Sequence, residues 1–179
     1  MSEIYLPSED SYLLSKALKK FLLKTADNDK LKVLEIGVGS GIQLLTLKDF
    51  GVKDILGVDI NKKSVHHCKQ LGFNCVYSDL FSKVIGEFDL IIFNSPYLPE
   101  DKLEDKESKI ATTGGKRGDE FILKFLKQSV KHLNKNGIIL LLLSSLTPQK
   151  RITTLMKKQN MKYKIIATQN LFFETLEVW

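Results

Sequence analysis

The sequence contains few of the residues that mark secreted, metal-binding or membrane proteins: two cysteines, four prolines and one tryptophan in 179 residues. Cys68 and Cys75 are too few for a disulfide framework and lack the spacing of zinc ligands, so we expect a reducing cytoplasm and no metal site. The longest apolar run, residues 137–146, is far shorter than the roughly 20 residues that cross a bilayer. No charged-then-apolar leader opens the chain. We therefore expect neither secretion nor a membrane partner.

Arginine is also scarce: among 27 basic residues only Arg117 and Arg151 are arginine, and the formal net charge is +6. A nucleic-acid footprint favours clustered arginines with interleaved aromatics, so a solvated lysine surface is the favoured interpretation. A nucleic-acid or ribosomal partner stays open. With 43% hydrophobic and 27% charged residues, the composition is that of a globular protein. We predict one domain, residues 1–179, with an N-terminal arm and helix at about residues 1–24.

Apolar segments that fit strands alternate with segments of helical periodicity. After the first helix, strands are predicted at about residues 31–36, 55–60, 73–77, 89–93, 138–143, 162–167 and 172–178. Helices are predicted between them, the last two at about residues 118–134 and 148–159. Alternating helices and continuously apolar strands indicate an α/β fold: a seven-stranded, mostly parallel sheet with helices on both faces.

Three acids and a glycine-rich turn are predicted at the carboxyl edge of this sheet. The first strand ends in Glu35-Ile36 and enters Gly-x-Gly-x-Gly at residues 37–41. This spacing differs from the Gly-x-Gly-x-x-Gly of dinucleotide binders. Asp59 and Asp79 follow the next two strands, and a carboxylate such as Asp59 can accept both hydroxyls of a ribose. Open α/β sheets bind ligands at this edge, so the turn and the acids favour a ligand site. The alternative interpretation is that the glycine turn is only a tight connection between a strand and a helix.

Three further motifs stand out. The fourth predicted strand leads into Asn94-Ser95-Pro96-Tyr97. Near the start of the chain, residues 5–14 read Tyr-Leu-Pro-Ser-Glu-Asp-Ser-Tyr-Leu-Leu. Before a long predicted helix, residues 113–120 read Thr-Gly-Gly-Lys-Arg-Gly-Asp-Glu. Taken singly, each motif has an ordinary structural explanation: a turn, a capped helix or a flexible loop.

Together these motifs resemble the class I S-adenosylmethionine (SAM)-dependent methyltransferases of the HemK type, in the short branch found in archaea and eukaryotes. Residues 94–97 resemble the Asn-Pro-Pro-Tyr motif of methyltransferases that modify planar NH₂ groups. Residues 5–14 and 113–120 are similar to the arm and the glycine loop of the short branch. The resemblance spans nearly the whole chain and implies a Rossmann-like methyltransferase fold.

The resemblance implies a SAM site at the glycine turn. In the family, Glu35 and the turn line the amino-acid end of SAM, Asp59 holds its ribose and Asp79 contacts its adenine. Acids and backbone carbonyls suit the sulfonium and ammonium groups of SAM. The implied SAM-binding residues are Ser11, Glu35, Gly37, Gly39, Gly41, Asp59, Asp79, Leu80 and Asn94.

The resemblance also implies the catalytic residues Asn94, Ser95, Pro96 and Tyr97. The side-chain oxygen of Asn94 and the carbonyl of Ser95 each accept one N–H of the acceptor nitrogen, and Tyr97 packs against the planar group. Such orientation can supply up to roughly 7–11 kcal/mol of the barrier. Ser95 stands where the family motif has proline, which fixes φ, so we expect a less rigid turn that keeps its carbonyl acceptor.

The implied activity is N5 methylation of the glutamine in the Gly-Gly-Gln motif of a class I translation release factor. The branch commonly works with a small zinc-binding activator subunit that covers a hydrophobic edge, which we expect near Ile55 and Phe73. Three alternatives stay open. They are methylation of an adenine or guanine amine in RNA or DNA, methylation of a protein lysine, and a SAM-binding module without catalysis.

Overall fold

A computed structural model describes residues 4–97 and 113–179 of the chain. The strands are β1 (Lys32–Ile36), β2 (Asp54–Asp59), β3 (Asn74–Tyr77), β4 (Phe88–Asn94), β5 (Leu133–Ser144), β6 (Ala167–Asn170) and β7 (Thr175–Val178). The helices are α1 (Glu9–Leu22), α2 (Ile42–Asp49), α3 (Lys62–Gln70), α4 (Glu120–Ser129) and α5 (Gln149–Lys158), with a short 3₁₀ helix at Asn28–Lys30.

The strands form one sheet in the order β3-β2-β1-β4-β5-β7-β6. The neighbours from β3 to β5 pair in parallel, and β7 pairs antiparallel with both β5 and β6. The order reverses between β1 and β4, and open α/β sheets form their ligand crevice at such a reversal. The predicted seven-stranded, mostly parallel sheet is confirmed.

Neighbouring residues of a strand point to opposite sides of a sheet. Because both sets of side chains are apolar in the central strands, helices cover both faces. On β4, Leu90 and Ile92 pack with α1 and α2, while Ile91 and Phe93 pack with α4 and α5. All four side chains are buried, so β4 is apolar on both faces. The polar end of this strand, Asn94, therefore marks the point where the chain leaves the core.

The helix predicted at residues 118–134 is shorter than expected. It ends at Ser129, and the following strand starts at Leu133 instead of at residue 138. The backbone N–H of Phe88 donates to the carbonyl of His132 at 2.8 Å, which draws this segment into the sheet beside β4. Val130 fits the helical periodicity but is 40% exposed, so the helix gains little burial by continuing.

The sixth strand was also predicted in the wrong place. Strand β6 covers Ala167–Asn170, whereas the apolar pattern favoured residues 162–167. Its position follows from a hairpin with β7, closed by a hydrogen bond from the N–H of Leu171 to the carbonyl of Glu174 at 2.8 Å. The hairpin turn leaves Phe172 and Phe173 exposed, so the last strand begins at Thr175 and not at residue 172.

The expectation of an apolar edge near Ile55 and Phe73 is wrong. Phe73 is buried, and Ile55 is partly buried against the same small cluster as Cys68 and Cys75. Ile55 and Phe73 therefore pack in the interior and do not form an exposed edge. Within the two described ranges, no helix combines the length and apolar character needed to cross a membrane.

Candidate active site

A cleft opens at the carboxyl ends of β1 to β4. Its lining combines apolar side chains with backbone groups, carboxylates and amides. The residues that line it are Tyr5, Ile36, Gly37, Gly39, Val58, Asp59, Ile60, Asn61, Ser64, Ser78, Asp79, Leu80, Phe93, Asn94, Ser95, Pro96 and Phe121. Of the residues predicted from the sequence, Ser11, Glu35, Gly41 and Tyr97 are not among them.

The turn after β1 depends on glycine because its backbone is left-handed at three positions. Gly37, Gly39 and Gly41 have φ values of 72°, 48° and 81°, which side chains disfavour. The N–H of Gly37 donates to the carbonyl of Val58 at 2.8 Å, so the turn lies against the end of β2. Gly37 and Gly39 line the cleft.

Gly41 has a packing role instead of a place in the cleft. It caps the start of α2, and a Cβ added there would lie 3.1 Å from the sulfur of Cys68. Helix α3 can approach the turn only because position 41 has no side chain. The absence of Gly41 from the cleft lining is explained by this contact.

Asp59 lies at the end of β2 and holds two backbone segments. One oxygen accepts the N–H of Gly39 at 2.9 Å, and the other accepts the N–H of Asn61 at 2.7 Å. Burial raises the pKa of this carboxyl, and the backbone N–H groups oppose that shift. Each oxygen keeps a further lone pair, so the carboxylate can still accept hydroxyl groups from the cleft.

Glu35 lies beneath the glycine turn and is 3% exposed. Burial raises its pKa well above the ordinary value, and the nearby Cys75 and Asp59 raise it further. Its Oε2 atom has no hydrogen-bond partner among the described residues. Burial without a partner favours the neutral form of this carboxyl, and a cation that reached it would favour the ionised form instead.

The end of β3 supplies a third part of the cleft through Ser78, Asp79 and Leu80. Leu80 has a φ of 47°, which is strained for a leucine. The hydroxyl of Ser78 donates to the Leu80 carbonyl at 2.8 Å and supports this conformation. Asp79 is half exposed and pairs with Lys124 at 2.8 Å. Backbone strain at a cleft is typical of a ligand-binding position.

Asn94 ends β4 with its amide in a defined orientation. Its Nδ2 donates to the carboxylate of Asp10 at 3.1 Å and lies 3.5 Å from the hydroxyl of Ser11. Its Oδ1 is buried and has no hydrogen-bond partner among the described residues. Asn94 therefore lines the cleft with a side chain whose oxygen is buried and accepts no hydrogen bond. Burying such an oxygen lowers the stability of the fold unless a ligand supplies a donor.

The residues after Asn94 are fixed by contacts that the sequence did not reveal. The hydroxyl of Ser95 donates to the carbonyl of Leu142 at 3.0 Å, which ties the turn to β5. The expected loss of rigidity at Ser95 is therefore offset by a bond that proline cannot make. The carbonyl of Tyr97 accepts the hydroxyl of Thr147 at 3.2 Å. Tyr97 is partly buried, and burial followed by the charge of Asp10 raises its pKa.

The glycine loop that precedes α4 packs directly on this motif. A Cβ added at Gly114 would clash with the carbonyl oxygen of Gly118 and would lie 2.7 Å from that of Pro96. Neither backbone atom can move aside as a flexible side chain would. Gly114 therefore allows the loop to reach the Asn94–Tyr97 segment.

The N-terminal arm reaches the cleft through Tyr5, which sequence reasoning did not select, whereas Ser11, which it did select, lies outside the cleft lining. Tyr5 lines the cleft, and its carbonyl oxygen lies near Gly39. Ser11 is buried, and its hydroxyl donates to Asp10. The arm motif contained all three residues, but nothing in its spacing showed that Asp10 would contact Asn94, 84 positions away. Asn61, Ser64 and Phe121 also line the cleft, and they were missed because they belong to none of the recognised motifs.

Comparison with known proteins gives these features a family context. The chain matches the family described as methyltransferase small domain over residues 15–173. It is 39% identical to a protein of Methanocaldococcus jannaschii, provisionally named a protein N5-glutamine methyltransferase, over 98% of this chain and 90% of that protein. It is 27% identical to the release factor glutamine methyltransferase of Lactococcus lactis over 71% of this chain, and the match spans 52% of that protein.

A solved structure shows the same fold. A chain of the E. cuniculi Mtq2–Trm112 complex, described as methylating the eRF1 translation termination factor, superposes with a TM-score of 0.77 at 24% identity. The superposition covers 97% of this chain and 94% of that chain. Nearly all of the sheet and helices therefore have counterparts in that structure.

Proposed function

This chain belongs to the methyltransferase small domain family, and we propose that it methylates the side-chain amide nitrogen of a glutamine in a protein, with SAM as methyl donor. The observation that carries the proposal is the buried, unpartnered Oδ1 of Asn94, a residue that lines the cleft. A primary carboxamide has two N–H groups for such an acceptor and a delocalised lone pair that needs help to react.

The cleft fits SAM in chemistry. Asp59 has free lone pairs for two ribose hydroxyls, and the strained 78–80 segment offers backbone groups and a carboxylate to an adenine edge. The buried oxygen of Glu35 suits the positive charge at the amino-acid end. When bound, SAM supplies a methyl group activated by its sulfonium. The acids near the turn favour that cation, whereas they would repel a phosphate.

The motif residues would orient the acceptor amide. Asn94 Oδ1 accepts one N–H, and the carbonyl of Ser95 accepts the other, which fixes the amide plane at the cleft. Fixing the nitrogen removes orientational freedom before reaction, which is the larger part of what such a site can contribute. No strong base is needed before attack, because the amide proton becomes acidic only as the new C–N bond forms. That proton passes to solvent, and the S–CH₃ bond breaks with its electron pair left on the sulfur of S-adenosylhomocysteine. Burial raises the pKa values of Tyr5 and Tyr97, so both phenols stay neutral near pH 7.

The proposed substrate is the glutamine of the Gly-Gly-Gln motif in a class I translation release factor. The names of the relatives support this choice, since one is a release factor glutamine methyltransferase and another is provisionally named for N5-glutamine methylation. In this motif the glutamine follows two glycines, so the two residues before it have no side chain to block its entry into the cleft. Because release factors act in translation, the same proposal places the chain in the cytoplasm.

A methylation assay with competing substrates tests this function. The purified chain is incubated with SAM carrying a labelled methyl group and, separately, with a release factor, the same factor with its motif glutamine changed to alanine, tRNA and rRNA. We expect label on the intact release factor only, with a 14 Da increase on the motif glutamine by mass spectrometry. Label in RNA alone, label on a lysine, or no transfer despite SAM binding would each contradict the proposal.

We also propose that the chain acts with a small partner subunit, as the E. cuniculi Mtq2 complex contains Trm112. Strand β3 is an edge of the sheet, and Tyr77 and Ile60 are about half exposed there. The test compares activity of the chain alone with activity after co-expression with a small partner from the same organism. We expect a gain in activity and a stable complex in gel filtration, and equal activity with no complex would contradict it.

A further inference from the structure

We propose that Asp10 is a positioning residue that fixes the amide of Asn94 with its oxygen toward the cleft, an inference that rests on the proposed function. Asp10 belongs to the first turn of α1, far from Asn94 in sequence, and it is 5% exposed. The two side chains meet through Asn94 Nδ2 and Asp10 Oδ2 at 3.1 Å.

The carboxylate of Asp10 is held by donors on both oxygens. Its Oδ1 accepts the N–H of Ser11 at 2.5 Å and the hydroxyl of Ser11 at 3.1 Å. Its Oδ2 accepts the hydroxyl of Tyr5 at 2.9 Å as well as Asn94 Nδ2. An ionised carboxylate only accepts hydrogen bonds, so each of these neighbours must present a hydrogen to it.

This chemistry determines which end of the Asn94 amide faces the cleft. If the amide were turned over, its oxygen would meet Asp10 Oδ2 without a hydrogen between them, and Asp10 Oδ2 would lose one of its two donors and keep only the Tyr5 hydroxyl. The NH₂ group therefore faces Asp10 and the Oδ1 acceptor faces away from it. An acceptor amide requires an oxygen at that point, since both of its own nitrogen-bound hydrogens are donors.

The proposal makes an unusual prediction for two variants. In Asp10→Asn, the Ser11 donors keep the oxygen of the introduced amide at the Oδ1 position, so the NH₂ of that amide faces Asn94. The Asn94 amide then turns over to accept from it and presents NH₂ to the cleft. In Asp10→Ala, no group imposes the wrong orientation, and Asn94 can still present its oxygen part of the time. The variant that is closer in shape should therefore be the less active one.

The test measures kcat, KM for the methyl acceptor, SAM affinity and thermal stability for both variants. Glu9→Gln is the matched control, because Glu9 is an exposed carboxylate on the same helical turn, bonded only to Ser8 among the described residues. We expect kcat to fall about 100-fold in Asp10→Asn and about 10-fold in Asp10→Ala, as for loss of an oriented polar group in other enzymes. SAM affinity should change less than about threefold, a shift of under 1 kcal/mol, and the control should match the wild type.

A role limited to stability would give the opposite order, with Asp10→Asn more active than Asp10→Ala, and that result would overturn the proposal. So would a loss of SAM affinity equal to the loss of kcat. The kcat values of the two Asp10 variants are compared on whichever acceptor the wild type methylates. If that acceptor is not the release factor, the proposed function is refuted, while the positioning role of Asp10 is still tested by the order of the two variants. A second readout needs no substrate: the NMR signals of the Asn94 side-chain amide should shift in Asp10→Asn and stay unchanged in Glu9→Gln. Unchanged signals in Asp10→Asn would also refute the positioning role.

Discussion

The carboxylate of Asp59 accepts the backbone N–H of Gly39 at 2.9 Å, so the end of the second strand holds the turn that follows the first strand. Sequence reasoning assigned Asp59 to a ribose. The structure adds that the same side chain holds the glycine turn and also accepts the backbone N–H of Asn61 at 2.7 Å. Two parts of the proposed SAM site therefore depend on one residue.

Replacing Asp59 by alanine should weaken SAM binding more than the loss of one ligand contact would. The variant loses the ribose acceptor and releases the N–H groups of Gly39 and Asn61. We expect the Kd for SAM, measured by calorimetry, to rise by about 10- to 100-fold, or roughly 1.4–2.8 kcal/mol. Asp54→Ala, an exposed carboxylate at the other end of β2, is the control and should bind normally. A normal Kd in Asp59→Ala would contradict this assignment.

The buried Glu35 should make stability depend on pH. Its folded-state pKa is raised, mainly by burial, so its contribution is fully present below the unfolded pKa of about 4.3 and is lost as pH rises through the folded pKa. Glu35→Gln has no ionisable group at this position, so it does not lose stability in this way as pH rises. Without SAM, the difference between its Tm and the wild-type Tm should therefore grow as pH rises from the unfolded pKa through the folded pKa.

Thermal unfolding across that pH range checks the Glu35 prediction. Glu87→Gln serves as control, because Glu87 is exposed and its replacement should leave the pH profile unchanged. A Tm difference between Glu35→Gln and wild type that stays constant with pH would show that Glu35 does not ionise differently in the folded state.

Ser95 replaces a family proline but makes its own bond to Leu142. Ser95→Ala should lower stability by about 1 kcal/mol, the usual contribution of a buried hydrogen bond, and Tm by roughly 2–4 °C. Its kcat should fall modestly, because the turn loses a tie to β5. Ser95→Pro restores a fixed φ and should recover part of that kcat. If Ser95→Ala matched the wild type in both Tm and kcat, the hydroxyl would have no role in holding the motif.

Gly114 is predicted to be intolerant of any side chain. A methyl group there would approach the carbonyls of Gly118 and Pro96 too closely, so the loop or the Asn94–Tyr97 segment must shift. We expect Gly114→Ala to lower kcat at least about 10-fold, since misplacing reacting groups by about 1 Å is costly. Gly51→Ala tests for a general effect of replacing glycine: it is left-handed but has open space, so it should lose stability without losing kcat. Full activity in Gly114→Ala would mean that the contact does not matter.

The sequence predicted the parallel part of the sheet well because its strands contain separate apolar runs between turns, and the parallel order follows from the alternation with helices. It failed where tertiary pairing decides the outcome. His132 and Leu133 join the sheet through Phe88, although their spacing continues a helix. The hairpin turn at Phe172 and Phe173 could not be recognised because exposed aromatics resemble a strand.

The candidate site could be located from the sequence, since short motifs follow the strands β1 to β4. Its internal contacts could not. The bond between Asp10 and Asn94 joins distant segments, and Gly41 and Ser95 have packing roles that depend on the partners Cys68 and Leu142. The roles of individual residues toward SAM, and the extent of a single domain over residues 1–179, stay predictions.

The most direct test of the account is Asn94→Ala, measured for methyl transfer and for SAM affinity in the same preparation. Because the Asn94 oxygen is proposed to orient the acceptor nitrogen, transfer to the release-factor glutamine should fall at least about 1,000-fold, beyond the loss from one oriented group in many enzymes. The Kd for SAM should stay within about threefold of wild type, a difference of less than 1 kcal/mol. Turnover near the wild-type rate with normal SAM binding would contradict the central claim.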